Sequence, residues 1–176
     1  MHPLFGAVDH VNRFVYRLIG VGLMVITVVV FLQVLVRFVL TAAGINIAAT
    51  WTEEVARYVL IWCIFLGAGV GCRKAQLISL EFVVRWAPGP LGQAMRYLAL
   101  LLCAALFLLL IHVGYQFVVV IGRTELSPAM QISKTWVYWA MPVGAALMVV
   151  NTVALMAEAI VSRRDIRDIG GIASTD

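Results

Sequence analysis

The sequence predicts an all-α integral membrane protein with four transmembrane helices, an interfacial helical segment between the second and the third, and both termini in the cytoplasm. Three observations carry this reading. Of the 176 residues, 63% are hydrophobic and 12% charged, where a soluble domain has roughly 45 to 50% and about 25%. The mean hydropathy of +1.00 leaves more apolar surface than a water-soluble domain of this size can bury. The apolar residues are also gathered into four runs, each near the roughly 20 residues a helix needs to cross a bilayer. Together these exclude a cytosolic enzyme, a nucleic-acid reader and a disordered chain. The formal charge of +4 and pI near 9.3 do not mark a nucleic-acid partner, because the basic residues sit just outside the apolar runs, where they face lipid headgroups and set topology.

The first span is expected at about residues 18–39, interrupted only by Gln33 and Arg37. It is longer than the roughly 7 to 15 apolar residues of a cleaved signal peptide, and Arg37 stands where a neutral cleavage region belongs, so it reads as an anchor. The second is expected at about 52–72. The third, at about 97–121, carries no charge; close to 40 Å long at about 1.5 Å per residue, it must tilt or protrude. The fourth, at about 136–161, contains Asn151 and Glu158, and Pro142 with Gly144 predicts a kink near its outer end. Between spans two and three, Leu77, Ile78, Leu80, Phe82, Val83 and Trp86 make a segment at about 75–87 too apolar for a free loop. It reads as a helix lying in the interface, ended by Pro88-Gly89-Pro90. Residues 163–176 read as a solvated tail, and 1–176 as a single membrane domain.

Orientation follows from the basic residues. With the N-terminus inside, Arg13, Arg17, Arg73, Lys74, Arg85, Arg96, Arg163, Arg164 and Arg167 are cytoplasmic and only Arg37, Arg57, Arg123 and Lys134 lie outside, a nine-to-four split. That bias places both termini inside and Ser127 outside. Trp51, Trp136, Tyr138 and Trp139 then fall at the outer interface, where amphipathic rings settle. Cys63, Cys72 and Cys103 lie within apolar runs, without the spacing of a disulfide framework or a zinc site, and read as small buried hydrophobes.

The segment Thr50-Trp-Thr-Glu-Glu-Val-Ala-Arg-Tyr58 carries most of the chemistry. Thr50 and Glu53 have capping-box spacing. Glu53 and Arg57 stand at i,i+4 with the acid first, and Glu54 can reach Arg57 at i,i+3. Trp51, Glu54, Tyr58 and Trp62 share one helical face with Glu53 and Arg57 beside it, more than lipid anchoring needs. These six residues are the candidate partner interface, although the same face could pack on this chain's own first and fourth spans. Further along, Gly67 and Gly71 form G-x-x-x-G in an apolar helix, a smooth face for close helix packing. His112, with Gln116 one turn on, is the only histidine inside a span. A bis-histidine haem therefore has no second axial ligand, and His112, Gln33 and Asn151 read as interhelical hydrogen-bonding residues. No nucleophile set, paired carboxylates or metal cluster can be assembled, so neither an enzyme nor a cofactor is expected.

Trp51-Thr-Glu-Glu-Val-Ala-Arg-Tyr58, with Trp62, Phe65-Leu-Gly-Ala68, Arg73-Lys74 and Leu77-Ile-Ser-Leu-Glu81, resembles the small membrane subunit of tripartite ATP-independent periplasmic (TRAP) transporters, the DctQ-like family. Ser127-Pro128, Ile132-Ser133, Tyr138 and Met141-Pro-Val-Gly144 are similar to that family's last loop and last span. Two positions depart from its pattern: Leu77, where a histidine is common, and Glu81, where an aspartate is commoner. The resemblance covers roughly residues 10–160. It implies a multi-pass inner-membrane protein of a bacterium or archaeon, working with a large multi-span permease and a periplasmic solute-binding protein in sodium-driven import of organic anions such as carboxylates. It further implies that ion and substrate sites lie in the large subunit and that this chain is its stationary, non-catalytic scaffold. Two other readings compete: an autonomous four-helix proton-coupled exporter, for which Glu54 and Glu158 are the candidate acids, and the membrane anchor of a redox complex.

Overall fold

In lipid each backbone N–H and C=O must be satisfied within its own segment, so long apolar runs become long helices. The computed structural model describes residues 3–40, 50–73 and 89–162. Helix α1 runs Pro3–Leu35 and continues as a π-helical turn, Val36–Leu40. Helix α2 is Thr50–Arg73 and α3 is Gly89–Phe117, the latter extended by a second π-helical turn, Val118–Gly122. After a loop, a single turn α4, Thr135–Tyr138, leads into α5, Ala140–Ser162. All four long helices are long and apolar enough to cross a membrane, over Gly6–Val39, Trp51–Arg73, Pro90–Val120 and Thr135–Val161. The interfacial segment at 75–87, the tail at 163–176 and the Thr50 capping hydroxyl lie outside the described residues and side chains.

Two helices extend beyond the spans expected within them. Helix α1 begins at Pro3 rather than near Leu18, because Val8, Val11 and Val15 continue the helical periodicity below the apolar run and proline suits a first helical position. Helix α3 likewise begins at Gly89, with Pro90 in its first turn. The irregularity expected at Pro142 is a break at Trp139, between α4 and α5, which leaves the proline in the first turn of α5, where the missing N–H disrupts nothing.

The helices pack in the order α1, α2, α5, α3, with α1 touching α5 only weakly. This is a slab with α1 and α3 at its edges. Burial follows that order: 44% of the α5 window is buried, against 17% for α2, 11% for α3 and none for α1. Leu100, Leu155 and Ala159 form one core cluster, with Tyr97 and Met156 against it. Cys72, Phe107 and Met148 form another, against Phe65 and Cys103, and the three cysteines are free thiols.

The closest helix approach involves glycines other than Gly67 and Gly71. A Cβ at Gly67 would lie 3.9 Å from Ile19 of α1, an ordinary contact, and Gly71 is half-buried. Gly69 is the residue pressed on α5, where a Cβ would fall 2.6 Å from Leu147 Cδ2. Two residues along a helix turn about 200°, so Gly69 faces away from Gly67 and toward the other neighbour. Gly144 of α5 answers it, its backbone set against Phe65 of α2.

Candidate functional site

The end of the slab that carries the α3–α4 connection is a rigid polar cap. Leu126 and Ser133 pair as an isolated antiparallel bridge. Within it the Ser127 amide donates to the Ile132 carbonyl at 2.8 Å and the Lys134 amide to the Glu125 carbonyl at 3.1 Å. Gln131 takes a left-handed φ of 55° to close the turn. The Ser133 and Thr135 hydroxyls donate to the Gly122 carbonyl at 2.8 and 2.7 Å, tying the loop to the last turn of α3. Glu125 accepts from Lys134 Nζ and the Tyr138 hydroxyl, both at 3.0 Å. The lysine's hydrogen bond and charge hold the Glu125 carboxyl below its ordinary range.

Glu54 secures this loop from beneath. Its carboxylate accepts the Ala129 amide at 3.0 Å, the Met130 amide at 3.2 Å and the Ser127 hydroxyl. Thr52, Glu54 and Ser127 are all buried, Ser127 completely. The carboxylate thus acts as an N-cap residue does, gathering backbone donors that a tight turn leaves without partners. Trp62 donates its indole N–H to the Trp136 carbonyl at 3.2 Å, a second tie from α2 to the same region.

The six candidate interface residues therefore divide. Glu54 and Trp62 bond within the chain, Tyr58 is half-buried, and Trp51, Glu53 and Arg57 stand exposed. The expected Glu53–Arg57 pair is replaced: Glu53 Oε1 accepts from Gln33 Nε2 of α1 at 2.8 Å. The start of α2 lies against α1 there, and a neutral amide across the helix pair reaches the carboxylate in place of the arginine one turn on. Glu54→Ala is expected to free the loop and raise trypsin cleavage at the exposed Arg123 by about tenfold, since cleavage follows the population of the open form. An unchanged cleavage rate would show that the loop holds itself.

The opposite end of the slab contains a cluster the sequence reading did not assemble. Arg73 of α2 bonds Asp9 of α1 at 2.9 Å and Glu158 of α5 at 2.6 Å. One turn inward, Asn12 and Asn151 exchange side-chain amide bonds of 2.6 and 2.8 Å, and Asn151 also donates to the Gly69 carbonyl at 2.8 Å. Asp9, Asn12, Arg13, Tyr16, Val70 and Arg73 line a cavity of about 420 Å³ beside it. The signal available in the sequence was a polar residue interrupting a span, Asn151 or Glu158; its partners, 139 and 85 residues away, carried none. No group of three or more metal-ligating side chains occurs among the described residues.

Residues 26–162 match the family model described as the DctQ component of tripartite ATP-independent periplasmic transporters. The chain belongs to this family. DctQ components are transporter parts rather than enzymes, and this DctQ chain is a multi-pass inner-membrane protein. It is also 38% identical over 72 residues to a Haemophilus influenzae protein assigned as a TRAP transporter small permease protein, a stretch that spans 41% of this chain and 41% of that relative.

Proposed function

We propose that this DctQ chain is the non-catalytic small permease subunit that scaffolds the large subunit of a sodium-driven, binding-protein-dependent secondary importer of organic anions such as carboxylates. Both termini are cytoplasmic in this reading, and the cap formed by residues 123–134 faces the periplasm, where the solute-binding protein delivers substrate. The observation that carries it is the way Glu54 is used. An autonomous carrier needs an acid free to bind and release its cargo in the membrane, yet Glu54 is committed to three donors of its own loop. Glu158, the other candidate, is held by Arg73. Polar groups spent internally and edge helices left apolar suit a wall better than a pathway. Trp51, Glu53 and Arg57, all exposed, form with the buried Glu54 and the half-buried Tyr58 and Trp62 a candidate assembly region.

The test is reconstitution. The purified chain alone in liposomes is expected to move no organic anion under a sodium gradient, with uptake appearing only when the large subunit and the binding protein are added. Uptake by the chain alone that Glu54→Gln abolishes would establish the autonomous carrier instead.

A further inference from the structure

We propose that the outward face of α3 is the seam on which a transmembrane helix of the large permease subunit docks, and that His112 fixes its register through a hydrogen bond to that helix. The proposal rests on the scaffold reading above and adds to it which face is used and what the partner must offer.

The face is defined by spacing and exposure. Leu98, Leu101, Ala105, Leu108, His112 and Tyr115 succeed one another at intervals of three, four, three, four and three residues, and all six are exposed on the slab's edge. Sustained over this length, that rhythm is the a/d seam of a left-handed helix pair, with crossing angle near +20° in membranes as in water. Apolar exposure alone would be met by lipid, and α1 at the other edge has it as well. His112 distinguishes the two edges. It lies eight residues inside the end of the candidate span Pro90–Val120, about 12 Å of helix. It is also one turn deeper than Tyr115, whose ring contacts Trp139 edge-on with centroids 6.5 Å apart.

Gln116 Nε2 lies 3.1 Å from His112 Nε2. That bond engages one of the two ring nitrogens, each able to take a hydrogen-bond partner, and the His112 side chain is exposed on this face. Polar side chains inside a span face a protein neighbour or a water-filled cavity, not acyl chains. A single polar residue at one a position of an apolar seam is also the device that specifies register between paired helices.

The occupant follows from shape. In a two-fold dimer of this chain both copies would share one topology, so the axis would lie along the membrane normal and each seam residue would meet its own copy. Leucines would then face leucines with only Ala105 to admit a close approach, whereas symmetric membrane pairs depend on small residues at the contact. A face of knobs needs a partner of holes: a helix lined with glycine, alanine or serine, carrying a hydrogen-bonding group level with His112. In the scaffold reading that helix belongs to the large subunit.

The experiment uses the full complex in native membranes, with a photoreactive amino acid placed at Leu108 of α3 or, for comparison, at Val28 of α1. Leu108 is expected to cross-link to the large subunit and Val28 only to lipid. In detergent, His112→Leu should lower recovery of the large subunit with this chain by about three- to fifteen-fold, the range set by one interhelical hydrogen bond in a membrane. His112→Asn, which keeps a hydrogen-bonding side chain, should restore part of it. Lipid adducts alone at Leu108, a cross-linked second copy of this chain, or wild-type recovery in His112→Leu would each overturn the seam while the complex itself persists. Failure of the unmodified chain to bring down any large subunit would instead overturn the scaffold reading, and the seam with it.

Discussion

Gly144→Ala is expected to weaken the α2–α5 contact more than Gly69→Ala or Gly20→Ala. An ideal Cβ at Gly144 would sit 2.6 Å from Phe65 Cβ and 2.9 Å from both the carbonyl carbon and the oxygen of Phe65. Real Cβ atoms do not come this near to backbone, so relief requires α2 and α5 to part along their length. Overpacking of a closed interface costs about 1–3 kcal/mol and occasionally more; with backbone on the receiving side the upper end applies, about 3 kcal/mol. The gain of about 1 kcal/mol from replacing glycine by alanine in a helix does not offset it. Gly69→Ala meets the Leu147 side chain, at 2.6 Å from Cδ2 and 2.8 Å from Cγ, and a rotamer change can relieve part of that. Gly20→Ala meets nothing within 4 Å. Helical circular dichroism followed through thermal unfolding in one detergent should therefore rank midpoints Gly20→Ala, then Gly69→Ala, then Gly144→Ala. Equal midpoints for the first and the last would mean that α2 and α5 are not closely packed.

The α2–α5 contact also shows how far a membrane sequence can be read. The four spans were legible because a bilayer demands a length of apolar chain that few other environments require. The packing faces were not. In a soluble helix the polar side marks solvent and so reveals the core, but here solvent and core are both apolar and that asymmetry is lost. Hence Gly67 and Gly69, two residues apart, could not be assigned to their neighbours without the helix arrangement. Polar residues within spans were a useful signal: Gln33, Asn151 and Glu158 each take a partner on another helix, whereas His112, read the same way, bonds Gln116 one turn along its own helix. The choice of partner was illegible wherever nearest-neighbour rules proposed a local one. Glu53 pairs across to α1 instead of along its own helix to Arg57, and Glu54, read as a lipid-edge charge beside Arg57, turned out to serve a loop 73 to 76 residues away. Asn12 was missed because it lies below the apolar run, in a stretch read as preceding the first helix.

Asn151→Leu is the second large effect expected, because one amide joins three helices. Asn151 has no exposed surface and Asn12 is 6% exposed. Each side-chain nitrogen spends both hydrogens: Asn12 on the Val8 carbonyl at 2.9 Å and on Asn151 Oδ1 at 2.6 Å, Asn151 on Asn12 Oδ1 at 2.8 Å and on the Gly69 carbonyl at 2.8 Å. Leucine at 151 leaves Asn12 with a donor and an acceptor unmet, and a buried polar group so stranded costs about 1–3 kcal/mol. Asn12 borders the cavity beneath Arg73, where water can reach its amide, so the loss belongs in the lower half of the combined range, about 2–4 kcal/mol. Asn12→Leu should cost less, since Asn151 keeps the Gly69 carbonyl. The double change Asn12→Leu with Asn151→Leu removes both stranded groups and should be less destabilising than the sum of its parts, by about 1–3 kcal/mol, the coupling typical of directly bonded neighbours. Unfolding free energies of the four proteins in one detergent give that coupling directly, and strict additivity would show that the two amides do not bond. A positive coupling has a structural corollary. Helix α1 is the least buried element of the slab, and Asn12 with the Asp9–Arg73 bond fastens its lower half, so Asn151→Leu should also speed hydrogen exchange in residues 6–17 while leaving α3 unchanged.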